Sequence, residues 1–374
     1  MKISKRDALM WLEFFASLPE EQELSPHQQE IGLSALAQIE TALEARDERL
    51  RAEIPGLKSL NGRTFYVGPD GSFPRGCRSC LLGTGLSAIR KTNKCNIECR
   101  FCYNYGELDC QPPVGEGMWD IGGTRFYERD IDLLLDMPNR PTGVAYVYLE
   151  PFMEIEKYYG IIARFHAAGI HQHMYTNGTL CTAENLRALG EAGLDELRFN
   201  LGATACADRV IDSIAAARSC ISRVGIETPM TPEFFEHFFE KKDRILGTGL
   251  YFINCAELHL NPNNVGNYEG EPMYMSRQGY LSPTWSHALT LKFMRAAAEE
   301  GWPCAVHDCC NRTKFARDLN LRAREGGWFG ASSYGREFDS IPWECFLPTL
   351  EDERFTFLEE EPLPEGYRPG DFIF

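Results

Sequence analysis

The chain has 374 residues, 44% of them hydrophobic, which is enough for one large domain or two ordinary ones with a substantial core. Its 38 Lys and Arg against 54 Asp and Glu leave a net charge of −16, a field that disfavours nucleic-acid phosphates as a substrate, and no apolar run approaches a membrane span. The start of the chain reads as an amphipathic helix rather than a signal peptide, so the 14 cysteines point to metal ligands and buried thiols in a cytoplasmic protein, not to a disulfide framework.

Residues 5–18 and 26–53 have helical periodicity, with Ile31, Leu33, Leu36, Ile39 and Leu43 recurring on one side and Pro26 suited to a first turn. Residues 1–53 therefore read as an N-terminal helical extension. Residues 54–85 are rich in Gly and Pro and contain Cys77-x2-Cys80, a spacing shared by metal sites and redox pairs. From Leu86 strands and helices alternate. Strand 86–92 is followed by a polar, Gly-rich insertion (107–124) and helix 128–136. Strand 144–151 precedes helix 154–168, strand 171–178 precedes helix 183–192, and strand 196–202 precedes helix 206–222. Strand 223–229 leads to helix 232–246, and strand 252–260 ends in an Asn-Pro-Asn-Asn loop. Helix 283–300 and a last strand over 303–309 complete the series. Such repetition implies a parallel sheet with helices outside it and chemistry at the C-terminal strand ends. Residues 326–374 are aromatic, Pro-rich and acidic, an irregular cover or tail.

The loop after the first of these strands reads KTNKCNIECRFCYNY over Lys91 to Tyr105 and carries Cys95-x3-Cys99-x2-Cys102. Thiolates are the ligands of iron–sulfur clusters, and a four-iron cluster normally takes four. Three set closely together leave one iron open to a substrate or cofactor. With its strand-like lead-in (Leu86 to Lys94) and Phe101 before the last cysteine, the segment resembles the radical S-adenosylmethionine (SAM) superfamily. The resemblance implies an α/β fold, a partial (βα)6 TIM-like barrel over residues 86–325. It implies that Cys95, Cys99 and Cys102 hold a [4Fe-4S] cluster whose unique iron binds the amino and carboxylate groups of SAM. It also implies an oxygen-sensitive enzyme that cleaves SAM to methionine and a 5′-deoxyadenosyl radical, supplied by a low-potential electron donor such as flavodoxin or ferredoxin.

Further landmarks follow from the same resemblance. Glu150-Pro151 stands where the family has a Gly-Gly-Glu-Pro-like segment that receives the SAM amino group, but Tyr148 and Leu149 replace the glycines here. The alternative is a solvated strand-end Glu. Thr176-Asn177-Gly178-Thr179 matches a family tetrapeptide that either orients the cofactor or shapes the turn. Arg198 and Asn200 are candidates to meet the SAM carboxylate or ribose, and Glu227, Thr228 and Asn261 to Asn264 to flank adenosine. The stretch HDCCNRTKFARD (His307 to Asp318) is loosely similar to proteins related to pyruvate formate-lyase activating enzymes. In it, Cys309 or Cys310, with His307, would ligate a metal or reach the substrate, and Arg312, Lys314 and Arg317 would bind an anion.

Cys77 and Cys80, joined by Cys309 and Cys310 or by Cys110, Cys304 or Cys345, are candidates for an auxiliary iron–sulfur cluster or metal, for a substrate-handling thiol pair, or for plain structural thiols. Cys181, Cys206, Cys220 and Cys255 read as core thiols. A small or anionic substrate is favoured over a peptide, since no peptide-docking domain precedes the barrel. Two rival classes stand beside the enzyme: a non-catalytic iron–sulfur sensor or electron carrier, and a zinc-stabilised scaffold pairing Cys77-x2-Cys80 with Cys99-x2-Cys102.

Overall fold

Successive side chains along a strand point to opposite faces, and this period of two sorts the strand residues from Gly85 onward onto the two faces of one sheet. The structure, a computed structural model, describes residues 26–314 apart from 61, 63, 107–113, 122–123, 137–139 and 277–279. The helix expected over 5–18, Cys110, Arg317, Cys345 and the segment 326–374 lie outside the described residues.

In chain order the elements that position the site are helix α1 (Pro26–Ala52), strands β1 (Lys58–Ser59) and β2 (Phe65–Val67), and helix α2 (Arg75–Leu81). They continue with β3 (Gly85–Arg90), β4 (Met118–Ile121), β5 (Thr124–Tyr127), α3 (Ile131–Asp136) and β6 (Gly143–Tyr146). Next come α4 (Tyr159–Ala167), β7 (His171–Thr176), α5 (Ala183–Ala192), β8 (Glu196–Phe199), α6 (Asp208–Ala217) and β9 (Arg223–Pro229). The series ends with α7 (Pro232–Glu240), α8 (Lys242–Gly247), β10 (Phe252–Ala256), the hairpin β11 (Met273–Met275) and β12 (Leu281–Pro283), α9 (Thr284–Glu300) and β13 (Ala305–Cys309).

The main sheet is 11-stranded, in the order β1-β2-β13-β10-β9-β8-β7-β6-β3-β4-β5. From β3 through β6, β7, β8, β9 and β10 to β13 every pairing is parallel and follows chain order. These are the βα units expected from the sequence, arranged as an open, partial barrel. Antiparallel pieces extend both ends: β2 on β13 and the β4–β5 hairpin on β3. They cover what would otherwise be bare edges of the parallel sheet. The hairpin lies at the end of the polar, Gly-rich insertion read over 107–124, where residues 118–121 pair with 124–127. Two strands are also shorter than expected, with β6 stopping at Tyr146 and β10 at Ala256.

The outer face is the core. Tyr146, Met174, Leu197, Phe199, Val224, Ile226 and Ile253 are fully buried there against α4 to α8. The opposite face is polar, with His173, Glu196, Arg198, Asn254 and His307 buried on it. Helix α2 packs into this concave side, against β3, β6 and β7. Its approach demands glycine at Gly76, where a Cβ would stand 2.6 Å from both the Arg198 guanidinium and His173 Nδ1. Helix α1 lies on α9, where Asp47 meets His287 at 2.7 Å and Arg46 donates to Thr284 O at 2.7 Å. No helix of the described residues is long and apolar enough to cross a membrane.

Candidate active site

The three-cysteine loop leaves the C-terminal end of β3 and is fastened at both ends. Lys91 N and Thr92 N donate to Tyr158 Oη at 3.1 and 3.2 Å, and Glu150 N donates to Lys94 O at 3.0 Å. The loop has only local turns, Cys102 N to Cys99 O at 2.8 Å and Tyr105 N to Cys102 O at 3.1 Å. Its outer limb is held by asparagines beyond β10. The side-chain amides of Asn261 and Asn263 donate to Tyr103 O at 3.0 and 2.8 Å, Asn264 to Phe101 O at 3.1 Å, and Asn267 to Arg100 O at 2.8 Å. Arg100 answers by donating through Nε to Asn267 O at 2.8 Å and lies 4.5 Å from the Tyr268 ring centre. The sequence reading assigned Asn261 to Asn264 to adenosine and missed this clamp. The signal available was the density of asparagines at one strand end, a residue type whose amide suits exposed backbone carbonyls.

Cys95, Cys99 and Cys102 are half-buried on this loop. Cys95 Sγ donates to Ile97 O at 3.3 Å, and Asn104 N donates to Cys102 Sγ at 3.4 Å, the kind of bond that tunes cluster sulfur. Burial, then the charges of Cys102 and Cys95, push the Cys99 thiol up to about 12. Three half-buried thiols on one short loop, with a backbone N–H already directed at Cys102 Sγ, are a donor set that fits an iron–sulfur cluster.

Glu150 lies beside the loop and is 1% exposed, which excludes the solvated strand-end reading. Its carboxylate accepts from Thr176 Oγ1 at 2.8 Å, Asn177 N at 2.7 Å and Phe152 N at 3.1 Å, and Pro151 follows it into a 3-10 turn. Asn177 Nδ2 donates to Asn96 Oδ1 at 2.8 Å, and Asn96 Nδ2 to Thr179 Oγ1 at 2.8 Å, tying the end of β7 to the cysteine loop. The structure thus brings Glu150, Pro151, Thr176 and Asn177 together.

Burial outweighs these hydrogen bonds and pushes Glu150 up to about 7, from an ordinary 4.5. A carboxyl raised on folding contributes stability that is fully present below about 4.5 and is lost as pH rises through about 7, on the order of 3 kcal/mol. Urea unfolding of the cluster-free protein should therefore weaken between these pH values, and Glu150→Gln should flatten that dependence. An unchanged pH slope in the variant would remove Glu150 as its source.

Tyr148 and Leu149 have φ of 74° and 56°, the left-handed conformation that glycine adopts freely. They turn the chain from β6 into the Glu150 corner. The strain is about 1–2 kcal/mol per residue, less the entropy that glycine loses on folding. Tyr148→Gly should match the parent in denaturant midpoint or gain up to about 1 kcal/mol. Tyr148→Val should lose about 1 kcal/mol or more, since branching at Cβ worsens the clash. A Val variant as stable as the Gly variant would contradict this.

The remaining expected residues divide between two places. Arg198 is 2% exposed and faces the barrel interior, not the cysteine loop. It donates to Glu196 Oε1 through Nε at 2.7 Å, to Glu227, to Tyr175 Oη at 3.2 Å and to Cys77 Sγ at 3.4 Å. Arg198 and Glu227 are therefore each other's partners. Asn200 caps the turn after β8, accepting from Ala203 N at 3.2 Å and Thr228 Oγ1 at 2.9 Å.

The vicinal cysteines separate. Cys309 shares the interior with Cys80 and Glu227, whereas Cys310 points to Thr313 Oγ1 at 3.6 Å and to Glu257 and His287. Burial, then Arg198, Glu227, Glu196 and Cys309, act on Cys77, whereas Cys102, Cys95 and Glu150 act on Cys99. The two Cys-x2-Cys pairs thus lie in different surroundings, and the four-cysteine zinc ribbon is not formed. Lys314 donates to Glu257 O at 2.8 Å and lies 3.0 Å from His259 Nε2, whereas Arg312 is exposed.

Comparison with known proteins bears on the same region. Residues 89–240 match the radical SAM superfamily model. A Methanocaldococcus jannaschii protein bearing the name of a glycyl-radical enzyme activating enzyme is 24% identical over 210 residues, 52% of this chain and 53% of that protein. The chain thus spans about half the length of the curated relative it matches. Among solved structures, SuiB of Streptococcus suis bound to S-adenosylmethionine is similar at 14% identity and a TM-score of 0.37, over 48% of this chain and 41% of that one. Methylornithine synthase (PylB) is similar at 12% identity and a TM-score of 0.38, over 100% of this chain and 96% of that one.

Proposed function

Because this chain belongs to the radical SAM superfamily, we propose that it is an enzyme that holds a [4Fe-4S] cluster on Cys95, Cys99 and Cys102, cleaves SAM reductively and opens radical chemistry on a small polar substrate. The observation that carries this reading is a short loop at a C-terminal strand end that bears three half-buried thiols and is tied to the buried carboxyl of Glu150 through Lys94 O and the Asn96–Asn177 pair. Bound there, the cluster supplies the low-potential electron that breaks a carbon–sulfur bond of the sulfonium.

The chain's own residues do the positioning. Glu150, whose charge burial disfavours, gains from a cation beside it such as the SAM ammonium. Thr176 and Asn177 aim its oxygens, and the asparagine clamp keeps the thiols in one geometry. A small polar substrate is supported by Asn254 and His307, neighbours on β10 and β13, which face the interior with buried polar atoms that have no hydrogen-bond partner among the described residues.

The test is anaerobic reconstitution with iron and sulfide, reduction by dithionite, and chromatography after adding SAM. Formation of 5′-deoxyadenosine and methionine is expected. A four-iron signal with intact SAM would favour the sensor, and zinc without iron or sulfide would overturn the cluster assignment.

A further inference from the structure

Away from the cysteine loop, two buried groups of metal-ligating side chains occur among the described residues: Glu257 with His287 and Cys310, and His171 with His173 and Glu196. The first is chemically closed. His287 lies between Asp47 at 2.7 Å and Asp308 at 3.1 Å, and Glu257 accepts from Tyr274 Oη at 2.5 Å and Asn311 N at 2.7 Å. The second is open. Both ring nitrogens of His171, Nδ1 of His173 and Oε2 of Glu196 are buried without a hydrogen-bond partner. One nitrogen of each imidazole and one Glu196 oxygen lie within 4.8 Å of one another.

We propose that His171, His173 and Glu196 bind a divalent transition-metal ion, zinc or iron(II), at the N-terminal end of the barrel. Three features carry the proposal. The His-Gln-His sequence on a strand turns both imidazoles to the interior, while Gln172 points the other way and donates to Ile162 O at 2.9 Å. The rings stack with centroids 6.3 Å apart, and Glu196, the first residue of β8, is in register with His173.

The second feature is the surroundings of His171. Its Nε2 is 3.6 Å from Glu196 Oε2, and its Nδ1 is 3.7 Å from Asp195 Oδ2. Asp195 Oδ2, which accepts from Gln172 N at 2.8 Å, thus stands behind the second nitrogen but beyond hydrogen-bond reach, on the side from which carboxylates orient ligating histidines. Third, Arg198 occupies Glu196 Oε1 and Glu227 and leaves the buried Glu196 Oε2 open toward the two imidazoles. Two imidazoles and one carboxylate select zinc or iron(II) over magnesium or calcium. The ion would pin β7 to β8 beneath α2, on the barrel floor opposite the cysteine loop.

The test uses the full chain with Cys95, Cys99 and Cys102 changed to Ala, stripped with EDTA and titrated with Co2+ under absorption spectroscopy. One equivalent is expected to bind, with visible ligand-field bands and no thiolate-to-cobalt charge-transfer band. Zn2+ should displace it and raise the thermal midpoint. Adding His171→Asn and His173→Asn should abolish stoichiometric binding and the thermal shift. Failure to bind Co2+ would leave a buried water site and overturn the proposal. So would a thiolate charge-transfer band, which assigns the metal to the remaining cysteines, Cys77, Cys80, Cys309 or Cys310, or binding that survives both substitutions. If the histidine variant does not fold, the parent titration decides by itself, since its spectrum separates nitrogen and oxygen ligands from sulfur.

Discussion

Cys99→Ala is expected to reduce SAM cleavage by the reconstituted, dithionite-reduced protein to below detection, while leaving the fold intact. Cys99 is the middle ligand of the proposed three, and its thiol is the one on which both other cysteines act. Removing it leaves two thiolates, too few to hold a four-iron cluster with one corner free. The fold should survive because the loop is fastened through backbone groups and not through sulfur, by Tyr158 Oη, Lys94 O and the amides of Asn261, Asn263, Asn264 and Asn267. Iron and sulfide content, the absorption of the reconstituted cluster and 5′-deoxyadenosine formation should therefore fall together while circular dichroism is unchanged. Asn264→Ala serves as a counterpart. It should keep iron on first reconstitution but lose it faster, because it loosens the loop and leaves every thiol in place. Retained turnover in Cys99→Ala would end the assignment of the cluster to this loop.

The parallel barrel was legible because short strand-like runs alternate with helical segments from Leu86 onward, the order that a parallel sheet with helices outside it imposes. The cysteine loop was legible for a different reason, since ligand spacing within a dozen residues survives as sequence. What could not be read is what depends on distant partners. Arg198 and Asn200 looked like a matched pair at one strand end. Side-chain direction separates them, with Arg198 turned inward to Glu196 and Glu227 and Asn200 capping the turn. Cys309, the last residue of β13, and Cys310, just beyond it, likewise have different neighbours, Cys80 and Glu227 for the first and Thr313 for the second. The β4–β5 hairpin was missed because its strands are only four residues each and sit in a polar, Gly-rich context. The left-handed Tyr148 and Leu149 carry no composition cue, since glycine is the residue that normally marks such a turn.

Arg198→Ala should be among the most destabilising single changes in the chain, by roughly 3–5 kcal/mol, a large share of the 5–15 kcal/mol typical of a folded domain. The guanidinium is buried between Glu196 and Glu227 and also serves Tyr175 Oη and Cys77 Sγ, so its removal strands the fully buried Glu196 carboxylate and leaves the half-buried Glu227 without its partner. Burial alone would raise Glu196. Arg198, assisted by the neighbouring histidines, outweighs it and holds the carboxyl below its ordinary range. Without the arginine, burial dominates and Glu196 takes up a proton on folding. Its folded pKa then lies above its unfolded one, so the stability loss in Arg198→Ala should be largest near pH 8 and shrink toward pH 5. A simple cavity would give a loss independent of pH. Arg198→Lys keeps the charge but not the planar fork that reaches both carboxylates, and should fall between the parent and Arg198→Ala. Urea unfolding in EDTA at both pH values separates these outcomes, and an Arg198→Ala protein within about 1 kcal/mol of the parent at pH 8 would mean that the interior is hydrated and the ion network contributes little.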